Sequence, residues 1–229
     1  MTRRWLLAGV ALTLCATTAL RAQARTTLSL IPVGGIQLPM GDFVKDPDFK
    51  LTPRFGVFVG ALAELTMNKN ISFFGEASRT LGATQKLEAS FPSSGGDKLT
   101  TDMATTQLAA GLIFRPLGRL PSGAPKSVYF EAGGGFTMYS VSAGFQDPSA
   151  QNDLNFSGNS PFVMGGLGIS CPAGPRASVQ ISGRVRYQVS AYDSDAIAIL
   201  EDPGTGFGHS LAVEKPLWFQ LGIGLRIGR

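Results

Sequence analysis

Six charged side chains stand in stretches of the chain that otherwise hold small, amide-bearing and apolar residues. They are three glutamates and three arginines: Glu64, Glu76, Glu131, Arg184, Arg186 and Arg226. A carboxylate or a guanidinium that leaves water has to be ion-paired and hydrogen-bonded, because its desolvation is otherwise too costly. If the fold gathers these residues in its interior, they can form a closed network of ion pairs, which Arg115 is placed to join. Polar residues that could satisfy the remaining donors and acceptors are Gln107, Tyr129, Gln180 and Gln220.

Catalytic chemistry finds little support in the residue types. His209 is the single histidine, and although Ser210 and several acids stand near it, spacing alone does not supply the geometry of a Ser–His–acid triad. An exposed loop histidine is the favoured interpretation. Loop aspartates could bind Ca²⁺, but they lack EF-hand spacing and are better interpreted as solvated: Asp46, Asp48, Asp193, Asp195 and Asp202. The sequence therefore predicts a protein without enzymatic activity, with no catalytic, cofactor-binding or metal-binding residue.

The elements that must position the six charges are strands with two different faces. The clearest is the segment LWFQLGIGLRIGR at 217–229. Its apolar residues alternate with residues that are mostly small or polar. Because successive side chains of a strand point to opposite sides of the sheet, the pattern predicts a strand with one apolar and one small or polar face.

Seven further segments show the same alternation, which gives eight predicted strands. They cover residues 27–40, 54–65, 71–81, 103–115, 128–143, 161–170, 177–190 and 217–229. Each is near or above the roughly 9–11 residues that a tilted strand needs to cross a bilayer. Short connections at 67–70, 116–126 and 171–176 alternate with long polar ones at 41–53, 82–102, 144–160 and 191–215. This rhythm is typical of a membrane barrel and is not required of a soluble sandwich.

The N-terminal segment is predicted to be a secretion signal that is removed. Arg3 and Arg4 precede an apolar run at 5–20, and an Ala-Gln-Ala sequence ending at Ala24 fits a cleavage site. We therefore assign 1–24 to the signal peptide, with cleavage near Ala24, and 25–229 to one barrel domain. The signal holds three of the 20 basic residues and none of the 16 acidic ones, so the rest of the chain is nearly neutral. It offers no basic cluster for nucleic acid.

The remaining composition excludes two other classes of protein. After the signal, Cys171 is the one cysteine in the sequence, so an internal disulfide is ruled out. The mean hydropathy is +0.13, and no second long apolar run follows the signal. These features exclude a helical membrane protein but are compatible with a membrane barrel, whose strands alternate.

The composition of the two faces separates a membrane barrel from a soluble one. In a soluble barrel the apolar face lines the interior and the polar face meets water. Here the polar faces are rich in Gly, Ala, Ser and Gln with few lysines, which suits the crowded interior of a narrow barrel. The apolar faces are long and unbroken, which favours lipid contact. We therefore predict that the six charges point into the lumen, where rigid filling is favoured over transport or gating because eight strands leave little open channel.

The architecture resembles the small OmpA/OmpX-type outer-membrane β-barrels, and the resemblance covers residues 25–229. The opening strand contains GGIQLPMGD at 34–42, which is similar to the Gly-rich first strand of many such proteins. The C-terminal strand resembles the signal that the barrel-assembly machinery recognises. It shares with that signal a polar residue, a glycine and two hydrophobic residues: Gln220, Gly222, Leu225 and Ile227. Many members end on Phe, whereas this chain ends Ile-Gly-Arg.

This resemblance implies an eight-stranded antiparallel up-and-down transmembrane barrel that is monomeric and resides in the outer membrane. Its partners would be outer-membrane lipid and, during insertion, the barrel-assembly machinery. We expect neither a cofactor nor a nucleic-acid partner. The favoured function is a structural or surface-interaction barrel whose long loops meet a partner that the sequence does not identify. Two alternatives stay open: a narrow pore for small solutes, and a soluble periplasmic barrel that binds an apolar ligand.

Overall fold

The computed structural model of the protein describes residues 27–47, 50–81, 85–91, 97–117, 127–143, 154–174, 177–190, 215 and 217–227. Regular structure in these ranges consists of strands, and no helix found there is long and apolar enough to cross a membrane. Several predictions fall outside the described residues: the signal peptide at 1–24, its cleavage near Ala24, and the loop residues Asp48, Asp193, Asp195, Asp202, His209 and Ser210.

Eleven strands are present in the described ranges, and all their pairings are antiparallel. Their bounds are β1 Thr27–Met40, β2 Val44–Lys45, β3 Lys50–Pro53, β4 Gly56–Thr66, β5 Ile71–Thr80, β6 Lys86–Phe91, β7 Asp97–Phe114, β8 Ser127–Ala143, β9 Leu154–Gly174, β10 Ala177–Gln188 and β11 Leu217–Ile227. Eight of them follow one another around the sheet in the order β7-β5-β4-β1-β11-β10-β9-β8. The sheet closes because β8 pairs back onto β7. The predicted eight-stranded antiparallel barrel is therefore confirmed.

The barrel has two dissimilar ends. The first and last strands, β1 and β11, pair side by side, with Val33 opposite Gly224. β1 begins and β11 finishes at the end of the barrel where the connection 67–70 joins β4 to β5. We call this the short-turn end. The opposite end, where β1 finishes at Met40 and β11 begins at Leu217, is the long-loop end. Gly41 follows β1 there with a φ of 124°, a conformation that glycine adopts without strain.

Side chains alternate between a buried interior and an exposed exterior along each barrel strand. In β5, buried residues at Ser72, Phe74, Glu76, Ser78 and Thr80 alternate with residues that are mostly exposed. The facing of β1, which the sequence leaves ambiguous, is settled by burial: Ser29, Ile31 and Gln37 point inward. Large apolar side chains on the outside are strongly exposed, for example Leu28 at 73%, Ile223 at 58% and Leu167 at 60%. The exterior is therefore an apolar belt.

Three short strands, β2, β3 and β6, lie in segments that the sequence predicts to be loops. They extend the sheet from β7 at the long-loop end, because β7 starts at Asp97 rather than near 103 and pairs there with β6. β3 pairs with β6, and β2 pairs with β3. In each of these strands an apolar side chain is buried on the inner face: Val44, Leu51 and Leu87. Such brief alternation among Lys, Thr and Ser residues is too weak a signal to separate a strand from a polar loop.

Candidate functional site

The interior of the barrel is the candidate functional site, and its centre is an arginine held by two glutamates. Arg184 on β10 donates from Nη2 to Oε2 of Glu131 on β8 over 3.1 Å, and its Nε donates to the other carboxylate oxygen. The same guanidinium is ion-paired with Glu76 on β5. All three side chains are buried. One guanidinium therefore ties three strands together across the lumen.

Arg186 extends this group toward the long-loop end. Its Nη2 lies 3.1 Å from Oε1 of Glu76, so that glutamate receives two arginines. The guanidinium also donates to the side-chain oxygen of Gln107 and stands 5.0 Å from the centre of the Phe162 ring. These contacts offset part of the desolvation of a fully buried cation. We call Glu76, Glu131, Arg184 and Arg186 the central cluster.

A second group of charges lies toward the short-turn end. Glu64 is ion-paired with Arg115 over 3.0 Å and with Arg226 over 3.2 Å. Arg115 also donates to the hydroxyl of Ser72, and Arg226 donates to that of Ser29. We call Glu64, Arg115 and Arg226 the end cluster. The structure thus brings all six predicted charges into the lumen, together with Arg115, and arranges them as two ion-pair clusters. Their functional role stays a prediction.

A layer of amides and hydroxyls lies between the central cluster and the long-loop end. Gln37 donates from Nε2 to Gln85 and to Thr105, each over 3.0 Å. Gln107 donates to Oε1 of Gln37 over 3.2 Å, and Gln220 donates to Oε1 of Gln107 over 2.9 Å. We call these five residues the amide layer. It joins β1, β7 and β11 with the segment that precedes β6, and so it crosses the lumen.

Aromatic side chains close the barrel above the amide layer. Phe43, Tyr139 and Trp218 are each at most 2% exposed. The Phe43 ring meets the Tyr139 ring edge-on, with centroids 5.5 Å apart, and lies 6.0 Å from the Trp218 ring. A backbone hydrogen bond of 2.7 Å from Phe43 to Leu51 holds the segment in place. We call these three rings the aromatic lid. Trp218 points inward, on the same face of β11 as Gln220 and Gly222.

Sequence reasoning missed part of this site. Gln37 and Thr105 stand on predicted strands, but an amide or hydroxyl on the polar face of an alternating strand carries no distinctive signal. Gln85 and Phe43 stand in predicted loops. The large apolar residues in an otherwise polar loop, Phe43 and Val44 first among them, are the signal that could have identified the lid, since loops seldom hold large apolar side chains without burying them.

The predicted C-terminal assembly residues are divided between the two faces of β11. Gln220 belongs to the amide layer and Gly222 faces the lumen, whereas Leu225 and Ile227 are exposed on the belt. Their recognition by the assembly machinery stays a prediction. Among the described residues, no group of three or more His, Cys, Asp or Glu side chains is arranged to hold a metal ion.

Small residues make room for the central cluster, and this leads to a stability prediction. A Cβ added at Gly166 would lie 2.8 Å from Oε1 of Glu131, 2.9 Å from Cγ of Arg184 and 2.8 Å from the carbonyl oxygen of Gly183. We expect Gly166→Ala to lower the free energy of unfolding by about 1–3 kcal/mol, because the backbone contact cannot yield. Urea titration of the barrel in lipid vesicles measures this. The neighbouring Gly165→Ala is the control, since nothing lies within 4 Å of its Cβ position; equal stability of the two variants would contradict the packing.

Solved structures with similar folds are outer-membrane proteins. Neisserial surface protein A superposes with a TM-score of 0.56 at 13% identity, over 90% of this chain and 100% of that chain. The outer membrane protein OprG from Pseudomonas aeruginosa gives a TM-score of 0.54 at 14% identity, over 90% of this chain and 99% of that chain. No family model and no curated protein matches the sequence. At these identities the likeness concerns the fold, and the predicted resemblance to small outer-membrane barrels is confirmed at that level.

Proposed function

We propose that this chain, which has the fold of the small outer-membrane barrels, is a non-enzymatic and non-conducting barrel of the outer membrane. In this proposal the filled lumen gives the wall rigidity, and the long-loop end is presented outside the cell to a partner. The observation that supports it is the sequence of buried layers inside the barrel: the end cluster, the central cluster, the amide layer and the aromatic lid. Loops carried by a rigid scaffold are the usual carriers of binding function.

The distribution of polar and apolar side chains supports a membrane location. Charges and amides are buried inside, while the outward strand faces hold exposed leucine, isoleucine, valine and phenylalanine. A water-soluble barrel that binds an apolar ligand has the opposite arrangement. In lipid, a closed barrel also satisfies every backbone donor and acceptor of its ladder. The soluble alternative therefore has little support.

The packing of the lumen also argues against a narrow pore. A cavity beside the central cluster, bordered by Tyr129, Gln180 and Arg184, has room for about one water molecule. An ion moving along the barrel axis would have to displace the paired arginines and then the aromatic lid. Opening such a path costs the ion pairs of the central cluster.

Two measurements test the proposal. Envelope fractionation should place the protein in the outer membrane, where it should migrate differently on a gel when unboiled than when boiled, as folded barrels do. Purified protein in planar bilayers should give no continuous conductance, because the described layers fill the lumen. Recovery from the soluble periplasm would overturn the membrane location, and stable single-channel currents would overturn the non-conducting role while leaving the location intact.

A further inference from the structure

The outward faces of the barrel carry almost no charge, with a local exception near the long-loop end. Among the described side chains on the eight barrel strands, Arg79 is the one basic residue that points outward. It lies on β5, opposite Val59 of β4 and Thr106 of β7. At the short-turn end the outward positions are apolar, as at Leu65 and Ile71. The charge is therefore placed at one edge of the belt.

Among the described residues, most of the exposed side chains around Arg79 are apolar. Val59 beside it, Leu81 above it and Leu108 nearby on β7 are all exposed large hydrophobic residues. A guanidinium at the middle of a lipid-facing strand is strongly unfavourable, but the cost vanishes near the headgroups, which a long side chain reaches by extending along the surface. The position of Arg79 thus indicates the level at which the belt meets headgroups.

Two more cations stand beyond Arg79 on the same outward surface. Lys86 on β6 is opposite Asp102 on β7, which lies four residues, or about 13 Å, beyond Thr106. The backbone N–H of Arg54 donates to the carbonyl of Lys86 over 2.7 Å, which places the two side by side. We call Arg54, Arg79 and Lys86 the basic rim.

Two acidic side chains near the basic rim reduce its positive charge without neutralising it. Arg54 is ion-paired with Glu88, and Lys86 with Asp102. Glu88 is only 17% exposed while Arg54 is 49% exposed, so the cation is the group that faces outward. Within the described part of the chain, the ion pairs found include none for Arg79. In the other pair Asp102 is 56% exposed and Lys86 45%, so the accessible positive charge at this edge of the belt belongs to Arg79 and Arg54.

We infer that the basic rim binds the headgroup of an outer-leaflet lipid that carries more than one phosphate. The inference rests on the proposed outer-membrane function. Arginine matches phosphate oxygens with two parallel N–H donors, and lysine and arginine near a bilayer surface attract anionic headgroups. Arg79 contacts one phosphate at the upper edge of the apolar belt, and Arg54 with Lys86 contacts another farther out. The acyl chains of the same lipid lie against the exposed belt of β4, β5 and β7.

The test is a titration of the purified, folded barrel in detergent with diphosphoryl lipid A, followed by native mass spectrometry. Phosphatidylcholine serves as the zwitterionic comparison lipid. We expect Arg79→Gln to weaken lipid A binding about fivefold and Arg79→Lys to weaken it less. Asp102→Asn should strengthen binding, since it removes the acid that competes for Lys86. Lys69→Gln is the matched control, because Lys69 is an exposed cation in a turn at the short-turn end.

The outcomes separate this inference from the function on which it rests. Equal affinity of Arg79→Gln and the unaltered protein, or equal binding of phosphatidylcholine and lipid A, overturns the inference. So does an identical loss in Lys69→Gln, which would indicate attraction by overall charge alone. The gel mobility of each unboiled sample is checked in parallel. A folded barrel with no lipid A preference contradicts the basic rim and leaves the proposed function standing, whereas a chain that never inserts contradicts both.

Discussion

Replacing Arg184 by alanine is expected to lower the free energy of unfolding by about 3–5 kcal/mol, the largest effect foreseen for a single change in this barrel. The guanidinium is buried between Glu76 and Glu131, which stand 108 and 53 residues away in the sequence. Without it, Glu131 loses its paired cation inside the lumen. Glu76 keeps Arg186, at 3.1 Å, so the damage is concentrated on one carboxylate.

Urea titration of the folded barrel in lipid vesicles measures this loss, and two further variants show its origin. Arg54→Ala removes an arginine from an exposed ion pair with Glu88 and should cost at most about 1 kcal/mol. Adding Glu131→Gln to Arg184→Ala should restore part of the stability, because the stranded charge is then gone. An Arg184→Ala barrel as stable as the unaltered one would refute the central cluster as a structural element.

Truncating Phe43 to alanine is expected to open the aromatic lid. Its ring is 1% exposed and packs against Tyr139 and Trp218. Its removal should lower the free energy of local opening of the lid by about 3 kcal/mol, which makes the open state of the lid roughly a hundredfold more populated. The barrel wall keeps its ladder hydrogen bonds and should remain folded. The effect should therefore be confined to the segment from β2 to β3.

Hydrogen exchange at the amide of Phe43, which is bonded to Leu51, measures the opening of the lid. Exchange there should accelerate strongly, while amides in the middle of β10 and β11 stay protected. Phe55→Ala is the matched control, because Phe55 is 58% exposed on the outside near the same end. If both variants exchange alike, Phe43 does not close the lumen.

Several features of this protein could be predicted from the sequence because they depend on a local period. Alternation along 177–190 and 217–229 fixes which residues share a face, and therefore places Arg184, Arg186 and Trp218 inside without knowledge of any partner. The even number of strands follows from the rhythm of short and long connections. The confirmed barrel thus rests on information carried within about a dozen neighbouring residues at a time.

Local pattern could not predict the extension of the sheet at the long-loop end. In β3 and β6, Leu51 and Leu87 alternate with polar neighbours over only a few residues, so the period is too short to be recognised. These strands exist because β7 continues beyond the barrel and offers an edge on which they pair. Their stability comes from that tertiary edge and from the burial of their own apolar side chains, Val44, Leu51 and Leu87.

The sequence by itself determined the eight barrel strands, the faces of all of them but β1, and the presence of a charged interior, since each follows from the order of side chains along one extended segment. The tertiary structure alone decided which lumen side chains pair with one another. Glu64 joins Arg115 and Arg226 while Glu76 and Glu131 share Arg184, and Gln220 reaches Gln107 from 113 residues away. Such contacts depend on how far each strand is shifted against its neighbour when the sheet closes, because that shift sets the height of every side chain in the lumen. No local period encodes it.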